Sequence, residues 1–348
     1  PNMSKKNIPT LHDVAKVAAV SPGTVSRALT RPDLVAEKTR ERILKYVKKL
    51  HYLPDPAGRN LRSNKPIVVG AVIPKNGIST FAKTISDLND ALELQKITLI
   101  VSQPEYSSAS SESAAYRLLE QGADALILLG EDHDQDLFDT LDHRNIPHLL
   151  LWTTTDPKGK YYVTVNQSQA GQLAARHLLD LGHKSFAYIG VPLLHNARAA
   201  ARLAGVKKEL KGAGIAIAPT AIIEEDHRFS SGRAAVEAVL TKHPKTTAII
   251  CTSDYHALGV LRGLHEIGKR VPADISVVSF NNNDFAAFTI PSITSVDLKQ
   301  HDVGIYAADL IYQLLHGETI KSISVKPKLC IRESSGPAKA KNIPKLLI

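Results

Sequence analysis

Between residues 10 and 50 the apolar positions recur every three to four residues, the period of a helix face. Leu11, Val14, Ala15 and Ala18 predict a short helix from about Leu11 to Ala18, and Thr10-Leu11-His12-Asp13 opens it as a capping box. Ala19-Val20 makes a tight connection. Ser21-Pro22 then supplies an N-cap hydroxyl and a proline at the first helical position, where the missing N–H costs nothing. In the second helix Val25, Ala28 and Leu29 face inward and leave Gly23, Thr24, Ser26 and Arg27 outside. A third helix, about Glu37 to Leu50, carries Ile43, Val47 and Leu50 on one stripe and six cations largely around the rest.

From Ile67 onward the pattern changes to short continuous apolar runs alternating with amphipathic helical stretches. Residues 67–73, 97–101, 125–129 and 149–152 predict one set of buried parallel strands, and 186–189, 248–251 and 276–280 a second. Helices are expected at 79–94, 111–121, 168–181, 230–242 and 256–267. Strands alternating with helices imply a doubly wound α/β sheet, and two sets imply two lobes. The expected organisation is a helical head over 1–54, a linker over 55–66, a two-lobed body over 67–335 and a tail over 336–348.

Charge separates the head from the body. The first 65 residues hold 14 Lys or Arg against 5 Asp or Glu, whereas the other 283 hold 29 of each, so the net charge of +9 sits on the first fifth of the chain. A small basic module on a neutral body points to a polyanion, with nucleic acid the foremost candidate and a merely solvated basic face the alternative. In helix-turn-helix geometry the second helix enters the major groove. Arg27 can donate twice to a guanine edge, while Thr24, Ser26 and backbone amides hold phosphates. A three-helix protein-binding module has the same helix pattern but does not explain the confined charge.

Three further observations narrow the class. Cys251 and Cys330 are far apart, without CxxC spacing, which argues against a disulfide scaffold or a cysteine zinc site and suits a reducing, cytoplasmic setting. No apolar run approaches the roughly 20 residues of a membrane span, and no signal-peptide pattern opens the chain. GxxxxGK[ST], GxGxxG after a strand, HExxH and GxSxG are all absent, so catalysis, a metal and a cofactor have no positive support.

Thr10-Leu11-His12-Asp13-Val14-Ala15, Val20-Ser21-Pro22-Gly23-Thr24-Val25-Ser26-Arg27-Ala28-Leu29, Lys38-Thr39-Arg40 and Tyr52-Leu53-Pro54 together resemble the N-terminal signature of the lactose repressor family of bacterial transcription regulators. The resemblance reaches to about residue 333 and implies a periplasmic-binding-protein-like body. It also implies that the positions of Pro22 and Gly23 read bases beside Arg27. Neither carries a side-chain donor, so direct readout leans on Arg27 and Thr24. With Thr10, Ser21 and Ser26, these residues form the expected DNA-facing set of the head.

The linker Asp55-Pro56-Ala57-Gly58-Arg59-Asn60-Leu61-Arg62-Ser63 is short, basic and marked by prolines. A helix here has fewer than three turns and a glycine costing about 1 kcal/mol, so it is not stable alone. Taken by itself, the segment reads as a flexible tether. The resemblance instead implies a hinge helix that folds when two subunits meet over the operator. Arg59, Asn60 and Leu61 then face DNA, and Leu61 wedges into the minor groove.

In open α/β sheets ligands sit beyond the carboxyl ends of the strands. The resemblance implies a small-molecule effector between the lobes: a sugar, sugar acid or sugar phosphate. It assigns Arg202 to effector hydroxyls or a carboxylate, which its planar fork suits. Asn196 and Arg198 match contact positions on the same segment, and Phe81 and Trp152 match aromatic or strand-end positions for which core packing is the equal alternative. Two departures stand out. Where the family often has Gly-Phe-Asp-Asp, this chain reads Ser279-Phe280-Asn281-Asn282, so Asn281 can pair with hydroxyls without a negative charge. Where a large aromatic often follows Asp, Asp226 is followed by His227. Fewer acids beside Arg198, Arg202 and His227 favour an anionic effector. Asp254 falls at a strand end before a helix, suited to capping as well as to facing the cleft.

The expected function is therefore a ligand-responsive repressor that binds a near-palindromic operator as a two-fold dimer. The tail has two prolines and no leucine heptads for a tetramer. A small-molecule binding protein with another use for its head, or an α/β sugar enzyme, is the alternative.

Overall fold

A computed structural model of the chain describes residues 9–50, 52, 66–75, 78–105, 107–194 and 196–338. The head consists of α1 (Leu11–Ala18), α2 (Pro22–Thr30), a 3-10 turn (Pro32–Leu34) and α3 (Glu37–Lys49). Both predicted caps are made. Thr10 Oγ1 and the Asp13 carboxylate close the capping box of α1, and Ser21 Oγ accepts from the Thr24 amide at 3.1 Å to start α2. Ala19 ends α1 at φ 51°, a left-handed conformation that lets its N–H bond back to the last turn. Val14, Ala15, Ala18, Val25, Ala28, Ile43 and Tyr52 form the small head core.

The body has two six-stranded sheets. The first is built from β1 (Ile67–Val72), β2 (Ile97–Ser102), β3 (Ala125–Leu129), β4 (His148–Leu151), β5 (Tyr162–Val165) and β11 (Ile323–Val325), in the order β11-β5-β4-β3-β1-β2. Its connecting helices are α4 (Ile78–Leu94), α5 (Ser108–Glu120) and α6 (Gln135–His143). The second holds β6 (Phe186–Gly190), β7 (Ile222–Glu224), β8 (Ala248–Cys251), β9 (Ser276–Phe280), β10 (Thr294–Asp297) and β12 (Lys328–Cys330), in the order β12-β10-β9-β8-β6-β7. Only its β10–β12 pair is antiparallel. Around it are α7 (Gln167–Asp180), α8 (Ala197–Gly212), α9 (Phe229–Lys242) and α10 (Asp254–Glu266); α11 (Gln300–Leu315) follows β10.

The chain divides into two compact units, residues 1–151 with 159–161 and 305–321, and residues 152–158 with 162–304 and 322–348. In the second sheet the chain runs from β6 outward to β7 and then crosses to β8 on the other side, so the order reverses between β6 and β8. That is where a doubly wound sheet opens a crevice at its carboxyl edge. The two strands come together closely there, since a Cβ on Gly190 would overlap the Thr252 side chain.

Apolar periodicity left several elements unassigned. Helix α8 is rich in alanine and packs through glycine, so it lacks the large apolar stripe that announces a helix. Strands β7, β11 and β12 have three residues each, too few to show a period.

Candidate functional site

The head presents the first turn and outer face of α2. Gly23 and Arg27 are exposed, Thr24 and Ser26 half-buried, and Val25 and Ala28 are in the core. Several of the candidate groups already have internal partners. Thr10 Oγ1 donates to Asp13 at 2.6 Å, and the Ser21 and Thr24 hydroxyls pair at 2.8 Å. Arg27 Nε donates to the Gly23 carbonyl at 3.1 Å, which lays the guanidinium along the exposed face. Pro22 occupies the first position of α2. A Cβ on Gly23 would meet only ordinary contacts at 3.8 Å, so the helix does not require glycine there. Arg59, Asn60 and Leu61 lie outside the described residues.

In the second unit, the segments that follow β6, β7, β8 and β9 bring Arg202, His227 and Asn281 to the carboxyl edge of the sheet. Arg202, on α8, is 8% exposed. Its Nη1 donates to Gln167 Oε1 at 3.2 Å and its guanidinium carbon lies 5.4 Å from the centroid of the Phe280 ring, while Nε is buried without a hydrogen bond. Burial lowers its pKa to about 10, against the pull of Tyr188 and together with repulsion from Arg198; no carboxylate of the described residues acts on it.

Tyr188 Oη, His227 Nε2 and Asn281 Oδ1 are, like Arg202 Nε, among the described side-chain atoms buried without a hydrogen-bond partner. Burial, then His256 and Arg202, depress His227 to about 4. Its ring lies 4.9 Å from Tyr255 and 5.6 Å from His256, and Tyr255 stacks on Phe229 at 4.8 Å. His256 Nε2 donates to the Asp226 carbonyl at 2.9 Å and its Nδ1 meets Ser253 Oγ at 3.1 Å, a pattern that suits a neutral ring. Burial likewise lowers the His256 pKa, against its bonds to the Asp226 and Glu225 backbone.

Asp254 corrects the capping expectation. Ser253 is the N-cap of α10, and the Asp254 carboxylate turns inward. It accepts from the Ser279 hydroxyl, from Ser295 Oγ at 2.7 Å, and from the Asn283 amide and Nδ2 at 2.6 and 3.0 Å. Those four donors use its oxygens, so it positions the 281–283 turn instead of facing outward. Burial still raises its pKa above the ordinary carboxylate value, against the hydrogen bonds that lower it. Arg332 Nη2 holds Asn282 Oδ1 at 2.6 Å from the other side. Asn281 sits at φ 100°, pinned through its N–H to the Val296 carbonyl at 3.0 Å.

Asn196 caps α8 through Oδ1, accepting from the Ala199 amide at 3.1 Å, and Arg198 is half-buried on the first turn. Phe81 and Trp152 are both buried, at 6% and 1% exposure; Phe81 belongs to the first unit, and Trp152, at φ 59°, follows β4. Gln167 and Tyr188 adjoin Arg202, and His256 adjoins His227, although no motif in the sequence marks them. The available signal for Tyr188 was a hydroxyl-bearing ring inside an otherwise apolar strand. Among the described residues no His, Cys, Asp or Glu group could hold a metal ion, and no helix is long and apolar enough to cross a membrane.

A basic helix-turn-helix head joined to two doubly wound α/β units defines a DNA-binding transcriptional regulator with an effector-binding body. Residues 10–55 match the family of bacterial regulatory proteins called lacI, and residues 175–335 match a periplasmic binding protein-like domain. The transcriptional repressor PurR of Erwinia tasmaniensis is 30% identical over 331 residues, 93% of this chain and 96% of that protein. Catabolite control protein A of Priestia megaterium is 29% identical over 317 residues, 91% and 96% of the two chains. Among solved structures, a lac repressor dimer bound to operator and the anti-inducer ONPF superposes with TM-score 0.72 at 27% identity, covering 94% of this chain and 99% of that one. A CelR regulator in complex with cellobiose superposes with TM-score 0.69 at 28% identity, covering 94% and 100%. The chain belongs to the LacI family, and it is a sequence-specific DNA-binding transcriptional regulator.

Proposed function

We propose that the protein represses transcription as a homodimer on a near-palindromic operator and that an anionic, sugar-like effector, such as a sugar acid, sets its DNA affinity. The supporting observation is Arg202, a buried guanidinium on which no carboxylate of the described residues acts, with an unpartnered Nε and a second cation, Arg198, nearby. An anionic ligand satisfies that charge, whereas a neutral sugar leaves it buried and uncompensated. Asn281, where the family often has an acid, adds hydroxyl pairing without repelling an anion.

Arg27 carries the base readout from α2, with Thr24 and Ser26 on phosphates, and the 55–66 linker completes the interface through Arg59, Asn60 and Leu61. Dimerisation is supported by Phe288 and Ile290, which stand 85% and 97% exposed on the second unit, and by the dimeric operator-bound lac repressor. A regulator that acts on chromosomal operators functions in the cytoplasm. An effector shifts DNA affinity only by its differential affinity for the two conformations of the body.

Selection of bound duplexes from a random DNA pool, at about 0.15 M salt to screen phosphate attraction, tests the operator reading: a near-palindrome is expected. Calorimetry with D-glucose, D-gluconate and D-glucuronate tests the ligand class, and binding of the neutral sugar alone overturns it.

A further inference from the structure

His227 occupies an unusual position for a titratable group. Its loop follows β7, and its ring rests against Tyr255 and His256 of α10. Nε2 is sealed from water without a hydrogen-bond partner, while the neighbouring His256 is engaged at both ring nitrogens. The charged groups around it divide by sign and exposure. From α8, Arg202 contributes a positive charge to His227, and Arg198 reinforces the charge at Arg202. In its own loop, Asp226 pairs with Arg228 at 3.8 Å in an exposed contact, so this carboxylate and cation largely screen each other. No acid of the described residues is among the groups that shift His227.

We propose that His227 is a specificity-determining group that takes a proton from solvent as an anion binds, and holds the anion from Nε2 as an imidazolium beside Arg202. The inference rests on the reading that this wall receives an anionic group. In the free protein, burial, His256 and Arg202 all oppose a charged ring, which titrates near 4. A negative charge at the unpartnered Nε2 offsets Arg202 and supplies the missing acceptor, and both changes favour the protonated ring. The ordinary histidine value of 6.5 then becomes accessible. One consequence is preference for anions over neutral hydroxyl ligands; another is tighter anion binding as pH falls.

The test uses the full-length protein and sodium sulfate, an anion that does not itself titrate between about pH 5.5 and 7.5. Arg202→Met protein serves as the blank for sulfate held by the basic head. Calorimetry in buffers of different ionisation enthalpy is expected to record uptake of about one proton per sulfate near pH 5.5, with affinity about tenfold or more above that at pH 7.5. In His227→Gln the proton uptake disappears and the pH dependence flattens. Sulfate bound at this wall without proton uptake overturns the inference and leaves the anion reading standing, because a neutral ring can donate from Nε2. Proton uptake that persists in His227→Gln also overturns it. Absence of sulfate binding above the blank overturns both. Measurement of proton uptake on the unaltered protein makes the outcome independent of whether the variant folds.

Discussion

Gly171 of α7 meets Arg202 of α8 backbone to backbone: a Cβ at 171 would overlap the Arg202 carbonyl oxygen. Gly205 reciprocates against the Ser168 carbonyl, so the helix bearing the buried guanidinium is seated by two glycines facing opposite ways across one crossing. The same device recurs where α9 crosses α10. Gly232 lies on the His256 carbonyl, and Gly259 on that of Phe229. Each crossing thus positions residues of the candidate effector wall without using a large side chain. Interiors this close-packed transmit even a methyl group as strain.

The glycine contacts predict opposite effects for formally similar substitutions. Gly171→Ala or Gly205→Ala must push α7 and α8 apart, and is expected to destabilise the second unit by about 3 kcal/mol. Gly212→Ala, at the end of the same helix with nothing near its Cβ, is expected to gain about 0.5 to 1 kcal/mol from helix propensity and reduced chain entropy. Urea unfolding midpoints at constant m value distinguish the two. Equal effects at the two kinds of site would refute the close-contact argument.

Arg202 should be costly for folding and necessary for response. Replacing a desolvated cation by an apolar chain of similar length removes an uncompensated charge, a change that is often neutral or stabilising by about 1 kcal/mol or more. Arg202→Met is therefore expected to keep or raise the unfolding midpoint while abolishing anionic effector binding and leaving operator affinity in the absence of effector within about twofold. A large loss of stability would mean that the guanidinium mainly serves the core, through Gln167 and Phe280.

In the head, folding and reading can be separated. Ser21→Ala removes the oxygen that accepts the Thr24 amide and should cost about 1 kcal/mol of head stability. Arg27→Ala removes an exposed side chain whose internal bond is to a helix carbonyl, so it should leave the fold intact and cost about 1 to 3 kcal/mol of operator binding. Gel-shift titration beside circular dichroism melting resolves the two effects. Unchanged operator affinity in Arg27→Ala would remove it from the base-reading set.

The legible parts of the molecule were those in which one residue pattern has one physical solution. Thr10-x-x-Asp13 and Ser21-Pro22 place two helix starts because their side chains satisfy specific amides. The apolar runs at 125–129 and 248–251 are readable because strands buried on both faces leave no polar alternation. Helix α8 was harder, since its packing depends on the absence of side chains at Gly205, which periodicity does not register. Arg202 was found by resemblance, yet its partners Gln167 and Phe280 come from a different helix and a strand, a conjunction that only the tertiary structure makes. At the end of a strand and the start of a helix, Asp254 is suited by sequence foremost to a cap and also to the effector cleft. Four donors from β9, its following turn and β10 outcompete that role.

Acidification should destabilise the second unit through its buried histidines. His183 is closed in by Thr247 Oγ1 on Nδ1 at 3.0 Å and by Ser276 Oγ and the Gly336 carbonyl on Nε2 at 3.0 and 3.1 Å; burial pushes its pKa below 6.5, as it does for His256. A folded-state pKa below the unfolded value means that the folded protein binds fewer protons. The associated stability is complete above the ordinary value of 6.5 and is lost as pH falls toward the lowered one. Asp254 has the opposite sign: its pKa is raised above 3.8, so the folded state binds more protons there and stability falls as pH rises through that lower window. Between about pH 7 and 5 the histidines therefore set the slope, at no more than about 1.4 kcal/mol per pH unit for each fully titrating ring. Thermal unfolding across that range should show a falling midpoint, and His183→Gln, which cannot be protonated, should reduce the slope. A midpoint that rises on acidification would mean that Asp254 and the other carboxylates, not the buried rings, govern the acid limb.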